Sequence, residues 1–105
     1  MAKKVKIGKR NYKITKKRIA QNTFADCDPS TKEIRMNHNI HPRAYYRKLF
    51  HEILHGVFAE YLADVVTDEE EEKIISKLER GFREFATNTD NQVEWIRLCI
   101  GLMKK

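Results

Sequence analysis

His51-Glu52-Ile53-Leu54-His55 places two histidines four positions apart, with a glutamate directly after the first. On a helix, positions i and i+4 share a face about one turn apart. Two imidazoles so placed hold one Zn²⁺ at about 2.0–2.1 Å each. Glu52, one residue beyond the first histidine, reaches water beside the metal instead of the metal itself, and a carboxylate there takes a proton. Zinc lowers the pKa of such water to about 7, which lets a carboxylate do this at neutral pH. The parts are those of metal-assisted hydrolysis. The bland alternative is an inert pair of hydrogen-bonded histidines on a half-buried helix face.

A catalytic zinc usually takes three protein ligands and keeps one open position. His38 and His41 lie upstream, but a helix beginning at Pro42 puts them about two turns or more from His51. The acidic run at 68–72 follows His55 by 13 to 17 residues, enough for one helix to end and the chain to return. Glu71 points along the centre of the Ile74/Ile75/Leu78 stripe. Glu72 lies at its edge and has Ser76 one turn later, a polar group of the kind that orients a metal-bound histidine. Both stay open as third ligand. For the other acids the simple reading is charge at a helix N-terminus.

Several elements must position these groups. Residues 5–7 and 11–15 alternate around Gly8 and Lys9 and predict a β-hairpin. Residues 18–25 are ambiguous, with a strand possible at 23–25, and 26–31 carry turn chemistry. Glu33–Asn37 alternates as a half-buried strand. Pro42 suits a helix's first turn, and Phe50, Ile53, Leu54, Val57, Phe58 and Tyr61 recur at helical spacing after it. Thr67 is an N-cap for a second helix with acids in its first turn. Asn88 to Asp90 break that helix, and a third runs over about 92–103. Strands followed by helices predict one α+β domain over 1–105, a small antiparallel sheet with three helices.

The 105 residues are 41% hydrophobic and 34% charged, the mix of a globular chain. No stretch approaches the roughly 20 apolar residues a spanning helix needs, and no secretory leader is evident, so a cytoplasmic protein without a membrane partner is expected. Cys27 and Cys99 read as free thiols. The net charge of +6 is polarised: residues 1–18 hold nine Lys or Arg and no acid, and the remainder has 12 bases against 15 acids. Such a segment contacts nucleic acid in some proteins. The simpler reading is a lysine-rich strand edge that blocks aggregation.

At the 51–55 motif the chain resembles the gluzincin clan of zinc metallopeptidases. It is most similar to the minigluzincins, small phage-encoded proteins with this motif, and ImmA/IrrE-type peptidase domains. The likeness extends over Cys27-Asp28, residues 49–55, the Glu-rich second helix and Asp90-Asn91 before Trp95. It implies a zincin-like fold, one zinc per chain held by His51, His55 and a downstream glutamate, and hydrolysis of a peptide or protein substrate with Glu52 as general base. The family's ligand glutamate is often followed four residues later by Asp or Asn. By that rule Glu72 is favoured, but Ser76 stands at the later position, which keeps Glu71 as the alternative. The family also has an edge strand that pairs with substrate, implied here at Glu33–Asn37, with His38, Tyr45 or Tyr46 as oxyanion partners and Cys27 as a ligand in a latent form. A second class of function is a non-catalytic, zinc-stabilised module that binds nucleic acid or protein through residues 1–18.

Overall fold

A computed structural model describes residues 3–19 and 23–103. Four strands are followed by three helices: β1 Lys4–Ile7, β2 Arg10–Lys17, β3 Ala25–Asp28, β4 Glu33–Asn37, α1 Pro42–Tyr61, α2 Asp68–Thr87 and α3 Thr89–Met103. The fold class is α+β, as expected. Positions 20–22 of the ambiguous 18–25 segment lie outside the described residues.

Gly8 takes φ +63° between β1 and β2, a backbone shape that a two-residue hairpin turn asks of glycine. Beyond the hairpin the sheet departs from expectation. Its order is β1-β2-β4-β3, and β2 pairs with β4 in parallel, so the sheet is mixed and not antiparallel. Hydrophobicity explains the order. Ile34 and Met36 on β4 are fully buried and claim the interior. β3 has only the small Ala25 and Cys27 on its inner face and takes the edge. The chain therefore passes over the neighbouring slot and fills it last. β3 also runs through Asp28, so the turn begins later than its Asp-rich sequence suggests.

One face of the sheet packs on α1. The core joins Ile7, Tyr12, Ile14, Ile34 and Met36 from the strands to Tyr45 and Leu49 from the helix. Gly56 permits the close approach, because a Cβ there would lie 2.6 Å from Ile7 Cδ1. Pro42 opens α1, and the His41 side chain accepts a hydrogen bond from the Arg43 N–H at 3.1 Å. Thr67 and Glu70 form a capping box at the start of α2: Glu70 N–H donates to Thr67 Oγ1 (3.2 Å), and Thr67 N–H donates to Glu70 Oε1 (2.9 Å). Only Asn88 interrupts α2 and α3, a shorter break than 88–90.

The chain divides into two compact units, one ending at Ile75 and the other beginning at Ser76. In the second, Trp95 of α3 meets Phe82 and Phe85 of α2 edge-on, each with ring centroids 5.9 Å apart.

Candidate metal centre

His51 and His55 sit one turn apart on α1, each with a side chain 19% exposed. Their rings lie 5.0 Å apart at 64°. The Glu72 carboxylate from the first turn of α2 closes the group. Its Oε1 is 3.1 Å from His51 Nε2, and its Oε2 is 3.1 Å from His55 Nε2. The two Nε2 atoms are 3.3 Å apart. Among the described residues this is the one group of three or more His, Cys, Asp or Glu donors with metal-binding proximity.

Those distances test the fit of a zinc ion. Bonds of about 2.0–2.1 Å in a tetrahedral shell put neighbouring donor atoms about 3.3 Å apart. The Nε2–Nε2 separation matches that edge length, and each Nε2 lies at a similar distance from a different oxygen of Glu72, with one donor atom from each residue within 4.8 Å of the others. The protonation pattern also fits. His55 Nδ1 lies 2.6 Å from Glu71 Oε2. A carboxylate accepts only, so Nδ1 carries the proton, and in the neutral ring Nε2 presents a lone pair. That lone pair faces a carboxylate oxygen and a second imidazole nitrogen. A cation at the centre satisfies both the His55 lone pair and the Glu72 carboxylate. The Glu72 side chain is 57% exposed, which leaves the fourth side of the group open to solvent.

Glu71 and Glu72 thus occupy different places. Glu72 faces both Nε2 atoms, and Glu71 holds the back of His55. The sequence offered both as ligands but had no signal for the second arrangement beyond the adjacency of two acids on one turn. Ser76 is exposed, and the group that meets His55 Nδ1 is Glu71. The remaining acids have other work: Glu70 caps the helix, and Glu69 pairs with Lys73 at 3.6 Å.

Glu52 is 7% exposed, on the helix that carries both histidines. Burial pushes its carboxyl above the usual range, while His51 and His55 pull it back. A raised carboxyl is a better proton acceptor at neutral pH. Cys27, half-buried on β3, has its thiol pushed up to about 12, first by burial and then by Glu52 and Asp26. It stays protonated and stands outside the converging group.

The other sequence candidates lie elsewhere. His41 caps α1. His38 follows β4, with Nδ1 3.2 Å from Asn37 Oδ1. Tyr45 is a core residue, and Tyr46 is exposed against its edge. Glu33–Asn37 is not a free edge, because β2 and β3 pair with it on either side. The two edge strands are β1 and β3, and both meet α1.

The chain matches no protein-family model, no curated protein and no solved structure. What can be said of its function rests on its own residues.

Proposed function

We propose that the chain is a zinc-dependent peptidase in which His51, His55 and Glu72 hold one metal ion and Glu52 is the general base. The observation that carries this reading is the convergence of His51, His55 and Glu72, one donor atom from each within 4.8 Å of the others, on a helix whose Glu52 is buried. The bound ion supplies a Lewis acid for a carbonyl oxygen and makes water acidic enough to ionise near neutral pH.

The protein's own groups do the rest. Glu71 holds His55 Nδ1–H and so fixes the tautomer that offers Nε2 to the metal. Glu52 takes the proton from the attacking water as its oxygen bonds to the carbonyl carbon. The same carboxyl then delivers that proton to the leaving amide nitrogen, and the C–N bond breaks to release an amine and a carboxylic acid. β3 is a sheet edge in contact with α1. Among the described residues no strand pairs with its outer side, which suits an extended substrate strand, and an open site favours a peptide or a locally unfolded protein.

Glu52→Gln separates binding from chemistry. The variant should retain close to one zinc per chain by elemental mass spectrometry. It should lose roughly 10²–10⁴-fold in peptide hydrolysis. Chelation should abolish wild-type hydrolysis, and zinc should restore it. Wild-type rates from Glu52→Gln, or a purified chain that takes up no zinc when zinc is supplied, would overturn the proposal.

A further inference from the structure

The stripe of α1 that carries the candidate metal centre does not begin at His51. Lys48, His51, Glu52 and His55 stand at i, i+3, i+4 and i+7, one face of the helix. One turn beyond His55 the stripe passes to Phe58, which is buried. One turn before His51 it reaches Lys48, which is half-buried. Lys48 Nζ lies 5.1 Å from the centroid of the Phe24 ring. Phe24 directly precedes β3 and is 55% exposed. Its carbonyl accepts from the Asn37 N–H at 2.9 Å, which ties this residue to the end of β4. An ammonium from the helix and a ring from the start of an edge strand thus meet one turn from the histidines.

The charge of Lys48 has no counter-ion: among the described residues it forms no ion pair. Residues 34–51 contain no acid. Glu52, four positions on, is buried and is not paired with it. Asp26, two residues after Phe24, is taken by Arg35 through two bonds of 2.7 and 2.9 Å. The contact with Phe24 explains where the lysine stem lies. It does not neutralise the charge. The acids of the site stand on its α2 side, at 68–72. β3 is also the edge strand whose side chains feel the site, because Glu52 and Glu71 both help to hold the Cys27 thiol up.

From this unpaired cation on the stripe of the metal centre we infer that Lys48, backed by Phe24, binds an acidic side chain of the peptide substrate close to the scissile bond. The inference rests on the peptidase reading and adds its substrate class. One helical turn advances about 5.4 Å, and an extended peptide advances about 3.4 Å per residue. A strand laid along β3 therefore passes from the metal centre to Lys48 in one or two residues. There the ammonium donates to a Glu or Asp carboxylate, and the Phe24 ring packs on the methylenes that carry it. A neutral side chain leaves the cation unpaired, and a basic one is repelled.

The test uses the zinc-loaded full chain and C-terminally amidated peptides, so that side chains supply the only carboxylates. A peptide that is cleaved, with its scissile bond located by mass spectrometry, is remade with Glu, Gln or Lys at each of the two positions on either side. At one of these positions Glu should exceed Gln in kcat/KM by about fivefold, mainly through KM, and Lys should rank below Gln. Lys48→Gln should abolish the preference while changing the rate on the Gln peptide by less than about twofold. Lys48→Arg keeps the charge and should keep the preference. Fluorescence anisotropy with Glu52→Gln, which binds without turnover, should rank the Glu and Gln peptides in the same order. Equal kcat/KM for Glu and Gln peptides at every position, equal binding, or a preference that survives Lys48→Gln would overturn the inference and leave the peptidase reading standing. Failure of the zinc-loaded wild type to cleave any peptide would overturn that reading and this inference with it.

Discussion

The residues up to Ile75 and those from Ser76 onward carry similar fractions of apolar side chains and use them to different ends. Every buried hydrophobic among the described residues belongs to the first unit, from Ile7 on β1 to Ile75 on α2. So do the two buried polar groups, Asn37 and Glu52. From Ser76 no described residue is buried: Leu102 is 86% exposed, and even Trp95 remains 36% exposed. Helical periodicity makes a helix in both units, and the sheet belongs to the first. His51, His55 and Glu52 of the candidate metal centre stand on the helix that packs on this core, and Glu72 stands at its exposed rim.

The largest test of this contrast is a pair of truncations in the metal-free chain. Ile34→Ala opens a cavity in the centre of the sheet, where Ile34 is fully buried. It should cost about 2–5 kcal/mol. Trp95→Ala removes two edge-on ring contacts on a part-exposed helix and should cost about 1 kcal/mol. Denaturant titration of both variants measures the difference. Equal losses would mean that the residues beyond Ser76 share the core.

The same contrast marks what was legible in the sequence. The helix over 42–61, its Pro42 start, the Thr67 cap and the hairpin around Gly8 depend on local chemistry and are readable from neighbours. The parallel β2–β4 pairing depends on which distant strand buries best, and no local signal encodes that. The same error assigned the free edge to Glu33–Asn37 instead of β3. At the candidate site, the histidine spacing and the acidic run were visible, as was the choice between Glu71 and Glu72. The division of labour between those two was not, because it depends on where α2 meets α1. The lysines of 1–18 were visible as charge, but their division between the edge strand β1 and the interior strand β2 required the sheet order.

The Glu71 carboxylate sharpens the comparison inside the well-packed unit. If its 2.6 Å contact with His55 Nδ1 orients the ring, Glu71→Gln should lower zinc affinity by roughly 10–100-fold. An amide can still accept the Nδ1 proton but with less charge, so the loss should be partial. Glu72→Gln should lose more, because it removes the charge facing both Nε2 atoms. Competition titration with a chromophoric chelator ranks the two. A larger loss from Glu71→Gln would exchange their roles and make Glu71 the ligand.

A smaller effect is expected where β2 is tied to the end of the histidine helix. Tyr12, fully buried on β2, donates to Glu60 Oε2 at 2.6 Å, and Lys32 Nζ meets the same oxygen at 2.8 Å. Tyr12→Phe removes the hydroxyl and should cost about 1.5 kcal/mol near neutral pH, the order expected of a hydrogen bond to a charged acceptor. The exposed Arg97–Glu94 pair on α3 is the matching control, and Glu94→Gln should cost about 0.5 kcal/mol or less. The Tyr12 cost should depend on pH at both ends. Burial first, then the bond to Glu60, holds the phenol above its ordinary value. The stabilisation it gives is therefore complete below about pH 10 and is lost as pH rises further, when the unfolded phenol ionises first. Lys32 first, then Tyr12, holds the Glu60 carboxyl below its ordinary range. That contribution is present above the unfolded value of 4.5 and is lost as pH falls through the folded one. The difference in stability between wild type and Tyr12→Phe should therefore be widest between these limits and narrow on either side. A difference that stays flat from acid to alkaline pH would reduce Tyr12 to a packing residue and leave the end of α1 held by Lys32 alone.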